Sequence, residues 1–208
     1  MFRVLCLLLA MLLPGTSAAL EIRRVATCSA VVLRMRGDIH EGDYARFKSH
    51  IKGNELVLGL DLSSDGGDLE EGLRIADLVH RKKLAVYVAG ECNSVCAMIF
   101  FSARKRYFGP RSKIGVHSVS DDRDIENPGS MLLTVKLARL SAKLGVPNAA
   151  IGKMVITRPR TISYLDQAEL SALGTSAENP FHYREQSSEA GQRLQQSCSS
   201  GEARDGPK

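Results

Sequence analysis

Apolar residues recur along this chain with two different periods, and the switches between them predict its elements. Val31 to Met35 alternates weakly and stops at Arg36-Gly37-Asp38, which predicts a strand and a turn. From Gly42 to Ile51, Tyr44, Phe47 and Ile51 fall on one side of a short helix. Leu56 to Leu62 is almost unbroken, as suits a strand buried on both faces of a parallel sheet, and it ends in Ser63-Ser64-Asp65-Gly66-Gly67. Leu69, Leu73, Ala76, Leu78 and Val79 then follow helical spacing up to Arg81-Lys82-Lys83. Leu84 to Ala89 predicts the next strand. A small polar turn, Gly90-Glu91-Cys92-Asn93-Ser94-Val95-Cys96, leads into the apolar run Ala97 to Phe101, read as a helix. Lys113 to His117 is a further short strand. Met131 to Leu144 predicts an amphipathic helix with Leu132, Leu133, Val135, Leu137, Leu140 and Leu144 apolar. Leu165 to Leu173 is the last helix, with Asp166 and Glu169 in a capping pattern at its start.

Strands that alternate with helices predict an α/β domain of parallel βαβ units with right-handed crossovers. Such folds bind ligands at the carboxyl ends of their strands. The Gly66-Gly67 turn, Ser94 and His117 each follow a predicted strand, so they are expected at one end of the sheet.

The two ends of the chain read differently from its middle. Arg3, the apolar run Val4 to Leu13 and the small residues Pro14 to Ala19 have the layout of a secretory signal over residues 1–19. The apolar run is shorter than the roughly 20 residues that span a membrane, and the competing reading is an uncleaved anchor. Residues 20–185 suffice for one domain with its own core. Residues 186–208 are rich in Ser, Gln and Gly, with almost nothing apolar, and are expected to be mobile. A periplasmic or secreted location follows from the signal.

Composition narrows the partners. A net charge of +5 is mild, its basic clusters are short, and no aromatic residues interleave with them, so nucleic acid is not expected. Weak attraction to an anionic membrane surface is compatible with the charge. Beyond the signal lie Cys28, Cys92, Cys96 and Cys198, and an even count in an exported chain suggests disulfides. The favoured pairing is Cys92–Cys96 around Ser94, with Cys28–Cys198 tying the tail to the first strand; two free buried thiols are the alternative. No His stands at ligand spacing beside Cys92 or Cys96, so neither metal nor cofactor is expected. The Cys-x-x-x-Cys spacing also differs from the Cys-x-x-Cys of dithiol redox proteins.

A serine at a strand-to-helix turn presents its hydroxyl outward, beside the free N–H groups that begin the helix. Ser94 is therefore the nucleophile candidate and His117 the base candidate, with Gly67 and Val95 offering N–H groups to an oxyanion. His40, His50, His80 and His182 have weaker claims, at helix flanks or near the tail. Taken singly, each feature has an ordinary structural reading: a turn serine, a strand-end histidine, a tight glycine entry to a helix. There is no G-x-S-x-G elbow of the α/β-hydrolases.

In this order, Ser63-Ser64-Asp65-Gly66-Gly67, Cys92-Asn93-Ser94-Val95-Cys96 and Lys113-Ile114-Gly115-Val116-His117 resemble the Clp-protease/crotonase superfamily. The likeness is closest to exported, periplasmic-protein-like members with a Cys-x-Ser-x-Cys turn, and covers roughly Val31 to Gly174. It implies a spiral of ββα units with a mostly parallel sheet, Ser94 as nucleophile, His117 as base and Gly67 and Val95 as oxyanion donors. It also implies a peptide or protein substrate and homo-oligomers. The family's triad acid comes just before the last helix, in the segment matching Arg158 to Leu165, and no carboxylate is there. Thr161 or a backbone carbonyl could orient the histidine instead. Asp166 is near but has a cap to serve, and Asp121, Asp122 and Asp124 follow His117 in a loop. Arg158 and Arg160 would make the site basic. Two readings stay open: a ClpP-like serine peptidase or hydrolase with a reduced catalytic set, and a domain of the same fold that binds without cutting.

Overall fold

A computed structural model describes residues 19–27, 30–52, 56–121, 123 and 125–181. The elements run β1 (Glu21–Ala26), β2 (Val31–Arg36), α1 (Asp43–Ile51), β3 (Val57–Ser64), α2 (Leu69–Lys82), β4 (Ala85–Asn93) and α3 (Val95–Ser102). Then come β5 (Lys105–Phe108), β6 (Lys113–Val116), α4 (Pro128–Lys143), α5 (Asn148–Ile156), β7 (Ser163–Tyr164), α6 (Gln167–Ala172) and β8 (Thr175–Ser176). The eight strands form one sheet in the order β1-β2-β3-β4-β5-β8, with β6 joined to β4 and β7. The β1–β2 and β6–β7 pairs are antiparallel and the rest are parallel, so the sheet is mostly parallel.

Alternation along the strands sorts the two faces. Leu33, Met35, Leu60, Leu62, Val86 and Val88 are fully buried on the helix side. On the other face the register lines up Arg34, Asp61, Tyr87 and Tyr107 across four strands. There the buried Asp61 carboxylate accepts from Arg34 Nε at 3.1 Å and Arg36 Nη2 at 2.6 Å. A buried charge needs such partners.

The strand β4 organises the sheet. It pairs with β3 along one edge, and along the other with β5 at its start (Ala85–Val88) and β6 at its end (Glu91–Asn93). The polar stretch before Ser94, expected as a turn, is strand as far as Asn93, because β3 and β6 both bond to it there. Only Ser94 is left for the turn. Every residue of α3 is buried, which is why its sequence is apolar on all sides. It crosses α2 closely: a Cβ at Gly72 would come within 2.3 Å of Val95 Cγ2.

The helix α4 has the expected position, but of its expected apolar residues only Leu137 is buried, with Leu144 packed partly against the core. Its buried residues are Ser130, Thr134, Leu137 and Ser141. Met131, Leu132, Leu133, Val135 and Leu140 are exposed. No helix among the described residues is long and apolar enough to cross a membrane. Cys28, Asp122, Asp124, His182 and Cys198, the signal segment through residue 18 and the tail at 186–208 lie outside the described residues.

Candidate active site

Ser94 lies between β4 and α3 with φ 56° and ψ −126°. A side chain at positive φ is strained by roughly 1–3 kcal/mol and needs its surroundings to hold it. Three features do so. Ser94 N–H donates to Gly115 O of β6 at 3.0 Å. A Cys92–Cys96 disulfide, with Cα atoms 5.2 Å apart, joins the end of β4 to the first turn of α3. Gly66 leaves the room that the turn requires: a Cβ there would lie 2.8 Å from Ser94 Cβ. Ser94 occupies the N-cap position, yet its hydroxyl makes no capping bond, in contrast to the usual serine there.

His117 is reached through the same strand pairing. Asn93 of β4 is in register with Gly115 of β6, so Ser94 and His117 both lie just past the carboxyl ends of adjacent parallel strands. Both line a cavity of ≈ 300 Å³, together with Gly67, Met98, Leu137 and Met154. No hydrogen bond joins Ser94 Oγ to the His117 ring, and catalytic bonds are often open in unliganded proteins. His117 Nδ1 donates to Ser118 O at 2.7 Å. A carbonyl oxygen only accepts, so Nδ1 carries the proton and a neutral ring keeps its lone pair on Nε2.

Gly67 also borders the cavity. Its φ of +120° suits glycine, and a Cβ would fall 2.1 Å from Ile39 O. Gly66 O accepts from Ile39 N–H at 2.7 Å. The Gly67 N–H is on the other side of that planar peptide and so points away from Ile39. Val95 is the first residue of α3, where an N–H has no partner within the helix.

The remaining acid and orienter candidates have other bonds. Thr161 Oγ1 donates to Arg158 O at 2.9 Å, within its own turn. Asp166 caps α6, accepting from Glu169 N–H at 2.9 Å, and this bond holds its carboxyl below the usual carboxylate range. Asp121 is likewise held low by the N–H groups of Ile125 and Arg123. Arg160 Nη2 donates to Arg123 O at 3.3 Å, while Arg158 is exposed.

Asn93 and Glu91, just before Ser94 in the chain, were given no role by the sequence. Asn93 is buried, and its Nδ2 donates to Asp65 Oδ1 at 2.9 Å and to Glu91 Oε2 at 3.3 Å, while its Oδ1 has no partner among the described residues. Glu91 also accepts from Lys113 Nζ and Tyr164 Oη, each at 2.9 Å. These bonds, Lys113 foremost, hold its carboxyl below its ordinary range. Asn93 stood inside the quoted Cys-x-Ser-x-Cys turn, but its amide bridge depends on Asp65, which only the fold brings near.

No family model matches the chain, and no curated protein matches it in sequence. Solved structures do. ClpP1 from Listeria monocytogenes is similar with a TM-score of 0.53 at 19% identity, over 71% of this chain and 91% of that one. A mutant of the 1510-N membrane-bound stomatin-specific protease gives 0.55 at 18% identity, over 75% and 83%. The ClpP protease catalytic domain from Plasmodium falciparum gives 0.50 at 20% identity, over 69% and 82%. The chain has a ClpP-like fold.

Proposed function

We propose that this chain is an exported serine peptidase with a ClpP-like fold, acting on peptide or protein substrates with Ser94 as nucleophile and His117 as base. The observation that carries the reading is that Ser94, held at positive φ with its hydroxyl unbonded among the described residues, and His117, whose Nδ1 is committed to a carbonyl, line one cavity. In this mechanism Nε2 takes the Ser94 proton as Oγ attacks the scissile carbonyl. The oxyanion accepts from the N–H groups of Gly67 and Val95. The imidazolium then returns the proton to the leaving amine, and water cleaves the acyl ester by the reverse steps. The Ser118 carbonyl takes the place of the triad acid as orienter. The exposed apolar residues of α4 (Met131, Leu132, Leu133, Val135 and Leu140) and of α5 (Val155 and Ile156) support self-association.

The test is labelling of the full chain by a fluorescent fluorophosphonate, with Ser94→Ala and His117→Ala as controls. Labelling of wild type that disappears in both variants is expected. One observation favours binding without cleavage: His117 Nδ1 meets a neutral carbonyl, and loss of a triad acid costs about four orders of magnitude in rate. Absence of labelling in folded wild type would decide for that reading.

A further inference from the structure

His117 is held by a peptide group, and the surrounding bonds fix that group in turn. Ser118 O accepts from His117 Nδ1 at 2.7 Å. The N–H of the same peptide plane belongs to Val119 and donates to Thr134 Oγ1 at 2.9 Å. In a planar trans peptide the C=O and N–H point in opposite directions, so holding one aims the other. Thr134 is buried on α4, and its hydroxyl donates to Ser130 O at 3.1 Å, which leaves its lone pairs for Val119. Ser118 is fixed twice more. Its N–H donates to Thr157 O at 2.8 Å. Its Oγ donates to Glu126 Oε1 at 2.5 Å, in the range of a charge-assisted bond.

We propose that Thr134 and Glu126 are positioning residues that lock the Ser118–Val119 peptide, so that its carbonyl keeps His117 in the Nδ1–H tautomer. The proposal rests on the reading of Ser94 and His117 as the catalytic pair. Glu126 is the carboxylate hydrogen-bonded to this segment, whereas Asp121 is held by its own loop and Asp166 by its helix cap. The task that an acid performs by direct contact in a triad is here divided. A neutral carbonyl fixes the tautomer, a buried hydroxyl aims the carbonyl, and a carboxylate secures the residue that bears it.

The experiment uses the full chain and two readouts. Histidine-ring nitrogen NMR in mildly alkaline buffer, where an ordinary imidazole is neutral, reports the tautomer. Fluorophosphonate labelling reports Ser94. Thr134→Val removes the acceptor with little change of shape, and Thr134→Ser restores it. Glu126→Ala removes the carboxylate, and Glu126→Gln keeps an acceptor. Wild type is expected to hold a single Nδ1–H tautomer. Thr134→Val and Glu126→Ala should give a mixture and label about ten- to a hundredfold more slowly, the scale of a small misplacement of a catalytic group. Thr134→Ser and Glu126→Gln should recover both signals. An unchanged tautomer in folded Thr134→Val and Glu126→Ala would overturn the proposal. Should Thr134→Val fail to fold, the exposed Glu126 carries the test alone. If wild type never labels while the tautomer responds, the peptidase reading fails and the positioning stands; labelling with an unresponsive tautomer fails the positioning alone.

Discussion

At Ser94 the backbone takes a φ that side chains avoid, and the glycine beside it makes that possible. Gly66 has φ +112°, and a methyl group there would lie 2.8 Å from Ser94 Cβ and 3.0 Å from Asn93 O. Gly66→Ala is expected to lose about 1–2 kcal/mol from the backbone alone. On the proposed reading it should also slow Ser94 labelling by about tenfold or more, since the clash pushes on Ser94 itself. Urea denaturation and labelling kinetics measure the two effects, and wild-type values in both would refute the account. A second residue-scale expectation concerns pH. Hydrogen bonds from Lys113, Tyr164 and Asn93 favour ionised Glu91 and lower its pKa in the folded chain. A lowered folded pKa means stability that is present above the usual carboxylate range and lost as pH falls through the folded value. Because the Glu91 side chain is 42% exposed, the effect is under about 1 kcal/mol. The melting temperature of Glu91→Gln should therefore approach that of wild type on acidification and fall below it near neutrality. A constant gap across that range would remove Glu91 from the account.

Among the elements, β5 shows why part of the fold was hidden in the sequence. Lys105–Phe108 reads as part of a basic surface run, because a strand entering a core is expected to be apolar. Arg106 nevertheless points to the helix side. Its guanidinium donates to Phe101 O at 2.6 Å, Leu144 O at 3.1 Å and Leu173 O at 3.1 Å, so that one side chain serves the carboxyl ends of α3, α4 and α6. Burial lowers its pKa, and the charge is sustained by carbonyl groups that a helix end leaves unpaired. Arg106→Lys keeps the charge but loses the planar fork that reaches three carbonyls. It should lose about 2–3 kcal/mol in urea denaturation, and a loss below about 0.5 kcal/mol would show that the helix ends need no such link. The strands β7 and β8 were also illegible, since two residues carry no period. By contrast β3, α2 and α3 declared themselves, because each carries a long apolar run or stripe, although Leu56 and Leu58 at the start of the β3 run are exposed. The candidate site divides in the same way. Ser94, His117 and Gly67 stood out by following strands, whereas the partner of the His117 ring is a main-chain oxygen and has no letter of its own.

For the whole molecule, the most informative mismatch is the helix α4, whose apolar period was legible but whose orientation was not. Periodicity tells which residues share a face and leaves open what covers it. Here the domain covers Ser130, Thr134, Leu137 and Ser141, with Thr134 Oγ1 accepting from Val119 N–H, and leaves most of the apolar residues outside. Met131 and Leu132 keep 59% and 56% of their surface, and Ile156 at the end of α5 keeps 80%. Several large apolar residues exposed along one helix mark a candidate interaction surface. A second copy of the chain is the expected occupant, and a specific interface would bury about 1,200–2,000 Å² in total. Replacing Leu132 and Val135 together by Glu puts unpaired charges where such an interface would be dry, while keeping good helix formers on exposed positions. Sedimentation velocity should find wild type associated and the double variant shifted to monomer. The dissociation constant should rise about a hundredfold or more, equivalent to about 2.7 kcal/mol, with the far-ultraviolet spectrum unchanged. If both proteins sediment alike as monomers, this face does not join copies of the chain; if both stay associated, the contact lies elsewhere on the surface.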